Sequence, residues 1–162
     1  MKKITVFLSA AILLVTLFAS MSFTPLPPGP SANGQGSLTR PGELQRRFAF
    51  HANTMPNGDV RGSGVLTITG GEAQIKFDIN CLSINGSTAI MAGVVTSVSG
   101  NTAFQVGWTC WFKVVDNGEG SNATPDQITL LSGNPVGLDC SIQAISNNPL
   151  NDIEGGNIQV KP

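Results

Sequence analysis

The segment 116–126 concentrates the side chains whose oxygens could bind a metal ion or carry out acid–base chemistry. Its three carboxylates and two carboxamides are those of Asp116, Asn117, Glu119, Asn122 and Asp126. Calcium binds about six to eight such oxygens with flexible geometry, although Gly118 and Gly120 stand where an EF-hand loop requires ligands. Two interpretations therefore remain: a calcium site, or a long connection between strands whose Asn, Gly, Pro and Asp residues form turns.

The same carboxylates are the best candidates for catalysis. Two of Asp116, Glu119 and Asp126 could act as the acid and base of glycoside hydrolysis, which needs a defined carboxylate separation across a sugar-binding cleft. A nucleophile elbow is absent, since Ser63 is flanked only by two glycines. His51 is the single histidine, and strand alternation places it on the solvent side. We predict no catalytic residue, and a small secreted hydrolase stays as the third hypothesis.

Trp111 and Lys113 form a candidate binding surface. In the segment 104–115, Trp108 and Cys110 share one face with other apolar residues, whereas Trp111 and Lys113 alternate onto the opposite face. An outward-facing tryptophan covers apolar area beneath a loop or neighbouring strand, or stacks on a ligand such as a sugar ring. We expect Trp108 to belong to the core and keep both interpretations for Trp111.

The elements that position these residues are β-strands. From residue 43 onward apolar and polar residues alternate, which is the pattern of a sheet with one buried face. The apolar face is predicted to hold Phe48, Phe50 and Ala52 in the first strand and Ile75, Phe77, Ile79 and Cys81 in Gln74–Ser83. Strands are predicted near 45–54, 59–69, 74–84, 88–98 and 104–115, with shorter ones near 127–132, 138–145 and 156–161. Asn57-Gly58 and Asn85-Gly86 are typical of tight hairpins. We predict an all-β fold, an antiparallel meander of about seven or eight strands closed as a small barrel or sandwich.

The glycines within these predicted strands indicate crowding. Gly62, Gly64 and Gly93 lie mid-strand, where a missing side chain permits a bulge, a bend or the close approach of another element. We expect them to serve the geometry of the sheet.

The first 22 residues have the pattern of a secretory signal peptide. Lys2 and Lys3 precede an apolar run of fifteen residues, shorter than the roughly 18 needed for a membrane span. Ser20 and Ser22 suit cleavage before Phe23, although an uncleaved anchor is the alternative. Residues 23–42 are rich in Pro and Gly and are predicted to be an extended linker, followed by the β-domain at 43–162. The mature chain is expected to be secreted or periplasmic, with no membrane span.

Charge limits the possible partners. The chain has 9 basic and 10 acidic residues, and loss of Lys2 and Lys3 leaves a net charge of −3. Such a chain has no basic patch for nucleic acid, so we expect no nucleic-acid partner; a glycan or a cell-surface protein are the candidates. No cofactor is predicted apart from the calcium alternative.

Three cysteines remain in the exported chain. An odd number predicts one disulfide and one free thiol, with three possible pairings of Cys81, Cys110 and Cys140; we favour Cys81–Cys140. Cys110 lies in an apolar strand and is interpreted as a buried thiol. A zinc site is disfavoured because no two cysteines lie within four residues of each other.

Several segments resemble a family of exported, uncharacterised bacterial all-β domains. The resemblance spans residues 46–160 and rests on RRFAFHA with NGDVRGSG, INCLSINGSTAIMAGVV, VVDNGEGSNATPDQITL and PLNDIEGGNIQV. It implies a compact secreted domain with a disulfide between the cysteine of the CL segment and one in the C-terminal third, here Cys81 and Cys140. Cys110 departs from that pattern, and the resemblance implies no activity.

Together these observations favour a non-catalytic exported β-domain that acts as a structural or binding module at or outside the cell surface. A calcium-stabilised carbohydrate-binding module is the second hypothesis, and the secreted hydrolase is the third.

Overall fold

The structure, a computed structural model, describes residues 29–70, 73–120, 123–137, 140 and 147–162. These residues form ten strands and no helix: β1 Ser31–Leu38, β2 Arg46–Thr54, β3 Val60–Ile68, β4 Ala73–Asn85, β5 Thr88–Gly100, β6 Thr109–Val115, β7 Gln127–Thr129, β8 Ser132–Asn134, β9 Leu150–Asp152 and β10 Gly155–Lys161. The all-β prediction is confirmed. The predicted signal peptide, and all of the predicted strand 138–145 except Cys140, lie outside the described residues.

All ten strands belong to one antiparallel sheet that curls into a half-barrel. The order is β10-β1-β2-β3-β4-β5-β6-β7-β9, and β8 pairs with β6 beside β7. β9 and β10 lie at opposite ends of this order but are joined through Ile153 and Glu154 only, so the two ends of the sheet must approach each other. We call the gap between β10 and the β6–β7 connection the seam.

The period-two pattern explains which face is buried. Phe48 and Phe50 of β2 and Ile75 and Phe77 of β4 point to the concave side, where they join one apolar core with Phe112 of β6. The rings of Phe50 and Phe77 each pack edge-on against Phe112, with centroids 5.1 and 5.8 Å away. The intervening residues of β2 and β4 face outward, as the alternation predicts.

Two β-bulges between β4 and β5 change that alternation. Thr96 of β5 and Asn80 of β4 are the extra residues at these two register shifts. One extra residue moves every following side chain to the other face. Strict alternation predicted that Cys81 lies on the buried face with Ile79, and this is wrong. Cys81 pairs with Ala92 on the outer face.

The start of the domain and the start of β6 differ from expectation. Residues 31–38, assigned above to the linker, form β1, which lies between β10 and β2. Its Gly34 and Gly36 leave room for the rings of Phe50 and Phe48. The glycines that led to the linker prediction therefore allow close packing in a strand. β6 begins only at Thr109, because a turn at Gly107 (φ 88°) interrupts the predicted strand and leaves Val106 exposed.

The glycines within β3 and β5 lie where other groups come close. A Cβ at Gly64 would overlap the ring of Phe77, and one at Gly93 would overlap the carbonyl of Asp78. The hairpin β4–β5 has a two-residue loop, Gly86-Ser87, since Asn85 pairs with Thr88. A positive φ of 58° at Gly86 suits the first position of such a loop.

Within the part of the chain that is described, no helix is long and apolar enough to cross a membrane.

Candidate functional site

The carboxylates of the β6–β7 connection lie along the seam and bond to β10. Asp126 accepts from the backbone N–H of Ile158 through Oδ2 (2.7 Å), and Asp116 accepts from that of Val160 through Oδ2 (2.9 Å). On its other side β10 pairs with β1. The two aspartates thus take the place of a neighbouring strand at an edge that would otherwise expose unpaired backbone donors.

The remaining carboxylate oxygens fix the connection itself. Oδ1 of Asp126 accepts from the N–H of Asn117 (2.8 Å), and Oδ1 of Asp116 accepts from the N–H of Gly118 (2.9 Å). All four oxygens of the two aspartates therefore hold backbone amides, and Asp126 is only 6% exposed. Because each hydrogen bond to a charged acceptor contributes about 1.5–3 kcal/mol, these contacts stabilise the closure of the sheet.

Glu119 and Asn117 complete the same arrangement. Oε1 of Glu119 accepts from the side-chain amides of Asn157 (3.2 Å) and Gln159 (2.9 Å) on β10. Asn117 donates through Nδ2 to the carbonyl of Pro125 (2.7 Å). A calcium ion at these residues would share oxygens that already hold the chain. Among the described residues, no group of three or more His, Cys, Asp or Glu side chains could hold a metal ion; Asn122 lies outside them.

Trp111 lies on the outer face but is covered. The disulfide between Cys81 and Cys140, predicted from the sequence, is present, with Cα atoms 5.8 Å apart. Cys81, Ala92 and Trp111 form one row across β4, β5 and β6, and Cys140 packs against this row. Trp111 is 8% exposed, as its packing interpretation expects, and a ligand could reach its indole only if this cover moved.

Lys113 and Cys110 occupy different surroundings on the same strand. Lys113 lies half-buried opposite Ile90 on the outer side, and its backbone N–H donates to Oγ1 of Thr129 (2.9 Å). Cys110 is free, buried in the core and 1% exposed, which confirms its interpretation as a buried thiol. Burial raises the pKa of the Cys110 thiol to about 12, partly opposed by a backbone hydrogen bond, so a reactive thiolate is disfavoured.

A second set of polar residues crosses the outer face of β2, β3 and β4. His51 lies opposite Ser63, and Ser63 lies opposite Asp78. This places a serine between a histidine and an aspartate, whereas nucleophilic catalysis needs the histidine in the middle so that the aspartate can orient it. The row is therefore suited to binding rather than to a charge-relay triad. From the sequence alone, His51 and Ser63 were considered separately and were not placed beside Asp78.

The interior of the half-barrel is too small for a ligand. Its apolar cavity, lined by Phe48, Phe50, Phe77 and Phe112 among others, has a volume of about 30 Å³. A cavity needs roughly 10–15 Å³ by this measure to hold one water molecule, and benzene occupies an engineered cavity of about 150 Å³. Among the described residues, the larger depressions lie outside this core, at the seam and on the outer face of the sheet.

Two adjoining depressions lie on that outside face. The first, about 400 Å³, is lined by Ala49, His51, Ser63, Val65, Lys76, Asp78 and Thr96, among others. The second, about 350 Å³, is lined by Gln35, Ser37, Arg47 and Ala49 with neighbouring glycines. Because Ala49 belongs to both, we treat them as one outer groove across β1 to β5. Sequence alternation placed most of these side chains outward but could not show that they form a concavity.

Comparisons with protein-family models, with curated proteins and with solved structures found no match for this chain. The resemblance to exported bacterial β-domains therefore stays an expectation.

Proposed function

We propose that this chain is an exported, non-catalytic β-domain that acts as a binding module at or outside the cell surface, using the outer groove. The observation that supports this most is the use of Asp116 and Asp126 at the seam. These two carboxylates were the best candidates for metal binding or acid–base chemistry, but they accept hydrogen bonds from the backbone of β10 instead. The ligand-sized concavity of the outer groove then offers the better place for recognition.

Export is supported by the disulfide. Disulfides such as Cys81–Cys140 form in oxidising compartments and are rare in the cytosol. Together with the signal-like residues 1–22, the disulfide supports a secreted or periplasmic location. The same bond holds Cys140 over Trp111. The burial of Trp111 therefore depends on an oxidising environment.

The test is a native mass spectrum of the chain expressed with its own N-terminal residues in an exporting bacterial host. We expect a product that begins at Phe23, lies outside the cytoplasm and has a mass two hydrogens below that of the fully reduced chain. A product that keeps Met1 and has three reduced cysteines would contradict export. Chelation before the measurement separates the alternatives, because an ion lost on chelation would favour the calcium-stabilised carbohydrate-binding module.

The hydrolase alternative is tested by the carboxylates themselves. Asp116→Asn, Glu119→Gln and Asp126→Asn are assayed for glycoside hydrolysis beside the unaltered chain, with the fold of each variant checked by its thermal melt. We expect no turnover in any of them. Turnover by the unaltered chain that is lost in a folded variant would replace the binding module with the hydrolase.

A further inference from the structure

Charge is unevenly distributed between the seam and the outer face. Of the acidic residues that the structure describes, five belong to the β6–β7 connection or lie next to or within β9: Asp116, Glu119, Asp126, Asp152 and Glu154. The outward positions of β2, β3 and β4 instead carry Arg47, Arg61 and Lys76 against one acid, Asp78. A chain with net charge −1 thus presents a locally cationic sheet face, and such a face attracts anions.

The outer groove has a floor of small residues with polar side chains at its ends. One row across the sheet reads Gln35, Ala49, Val65, Lys76 and Ser97 on β1 to β5. Ala49 and Val65 are short, so the middle of the row is low. Strands lie about 4.8 Å apart, which makes this row roughly 19 Å long. A groove of this length across the strands suits an extended polymer better than a compact metabolite.

The rows on either side supply hydrogen-bonding walls. One contains Ser37 and Arg47, and the other contains His51, Ser63 and Asp78. The bulge at Thr96 adds a further exposed hydroxyl to the Lys76 end, and bulges commonly re-aim side chains in this way. The groove thus combines hydroxyl, amide and imidazole groups with charged side chains. Such a set can form hydrogen bonds with a ligand that carries many hydroxyls and some negative charge.

We propose that the outer groove binds a linear acidic polysaccharide. Arg47 and Lys76 face its carboxylates from opposite sides of the Ala49–Val65 floor, and the guanidinium of Arg47 can hold a carboxylate with two hydrogen bonds. The proposal rests on the binding-module function and names its ligand class. Asp78 limits the net charge of the groove, so affinity is expected to be modest and to depend strongly on salt.

The probe is sodium polygalacturonate, with dextran as a neutral polymer, and binding to the mature exported chain is measured by biolayer interferometry at low and high sodium chloride. We expect polygalacturonate to bind at low salt and to weaken at high salt. Arg47→Gln and Lys76→Gln should each lower affinity about fivefold, the effect of one exposed charge pair at close range. Lys161→Gln removes the same charge from exposed β10, outside the groove, and should change affinity less than twofold.

Ala49→Phe fills the floor of the groove and should abolish polygalacturonate binding, while a thermal melt confirms that each variant is folded. No binding at low salt, or an equal loss in Lys161→Gln, overturns the proposal. Equal binding of dextran that Ala49→Phe removes and the charge variants leave intact also overturns the acidic ligand, but that result would leave the binding-module function standing.

Discussion

Asp126→Asn tests the idea that carboxylates close the sheet. The substitution keeps the shape of the side chain but turns one acceptor oxygen into an amide donor. The lost contact is with the N–H of Asn117 (2.8 Å) or of Ile158 (2.7 Å), and the new donor then faces a backbone donor. Since a hydrogen bond to a buried charged group contributes about 1.5–3 kcal/mol, we expect a loss of about 2–3 kcal/mol in the free energy of unfolding.

Two matched variants separate this role from a general effect of charge. Asp116→Asn makes the same change at the half-buried partner of Val160, where water can replace a lost bond, so its cost should be smaller, about 1 kcal/mol. Asp152→Asn removes a charge from an exposed side chain that accepts from Gln127 Nε2 (2.8 Å). An asparagine oxygen can still accept there, and we expect a change within about 0.5 kcal/mol.

Urea denaturation measures the three stabilities, and amide hydrogen exchange locates the effect. In Asp126→Asn the N–H of Ile158 or that of Asn117 should exchange faster, while amides in β2 and β3 change only as much as the global stability does. Closure by carboxylates is refuted if Asp126→Asn is as neutral as Asp152→Asn, or if the exchange of both Ile158 and Asn117 is unaltered. Either result would mean that the seam is held by apolar packing and that the aspartates are incidental.

Three other predictions concern single residues. Trp111→Ala should cost about 3–5 kcal/mol in urea denaturation because its indole is buried under the disulfide; a cost below about 1 kcal/mol would indicate an accessible surface residue. Cys110 should resist iodoacetamide at pH 8 until the chain unfolds. Because burial raises the pKa of its thiol from the ordinary 9.0 to about 12, the free energy of unfolding should fall above pH 9, where only the unfolded thiol ionises. That fall should be absent in Cys110→Ala. Gly64→Ala should cost about 1–3 kcal/mol by pressing on Phe77, while Gly137→Ala, whose Cβ would meet only Oγ1 of Thr109 at an ordinary contact distance of 3.9 Å, stays neutral in the same melts.

Periodicity predicted much of the sheet because each strand has one buried face. The alternation in β2 and β4 correctly gave the apolar core residues Phe50, Ile75 and Phe77. It failed where a single residue changes the register: the bulge at Asn80 turns Cys81 outward, and bulges have no strong sequence signature. It also failed for β1, since glycine-rich strands have the composition of linkers and are identified only by what packs against them.

Local sequence predicted the content of the candidate site better than its arrangement. The carboxylates of 116–126 were recognised as chemically notable, but their acceptor role depends on Ile158 and Val160, more than 30 positions away. The outer groove combines residues from five strands, none of which forms a motif within its own strand. Cross-strand neighbours are set by register, and register is a property of the whole sheet.

The seam and the outer groove are linked by the way the sheet ends. A β-sheet that does not close leaves backbone donors at its edge, which invite pairing with other chains, and here Asp116 and Asp126 occupy that edge. Asp116, Glu119 and Asp126 are thereby concentrated beside β10, whereas Glu154 accepts from Gln45 just before β2. The outward residues of β2 to β4 are, by contrast, mostly cationic or uncharged. Closure of the sheet by Asp116 and Asp126 therefore places negative charge beside β10. The difference in charge between that edge and the outer groove is the basis for expecting an anionic ligand in the groove.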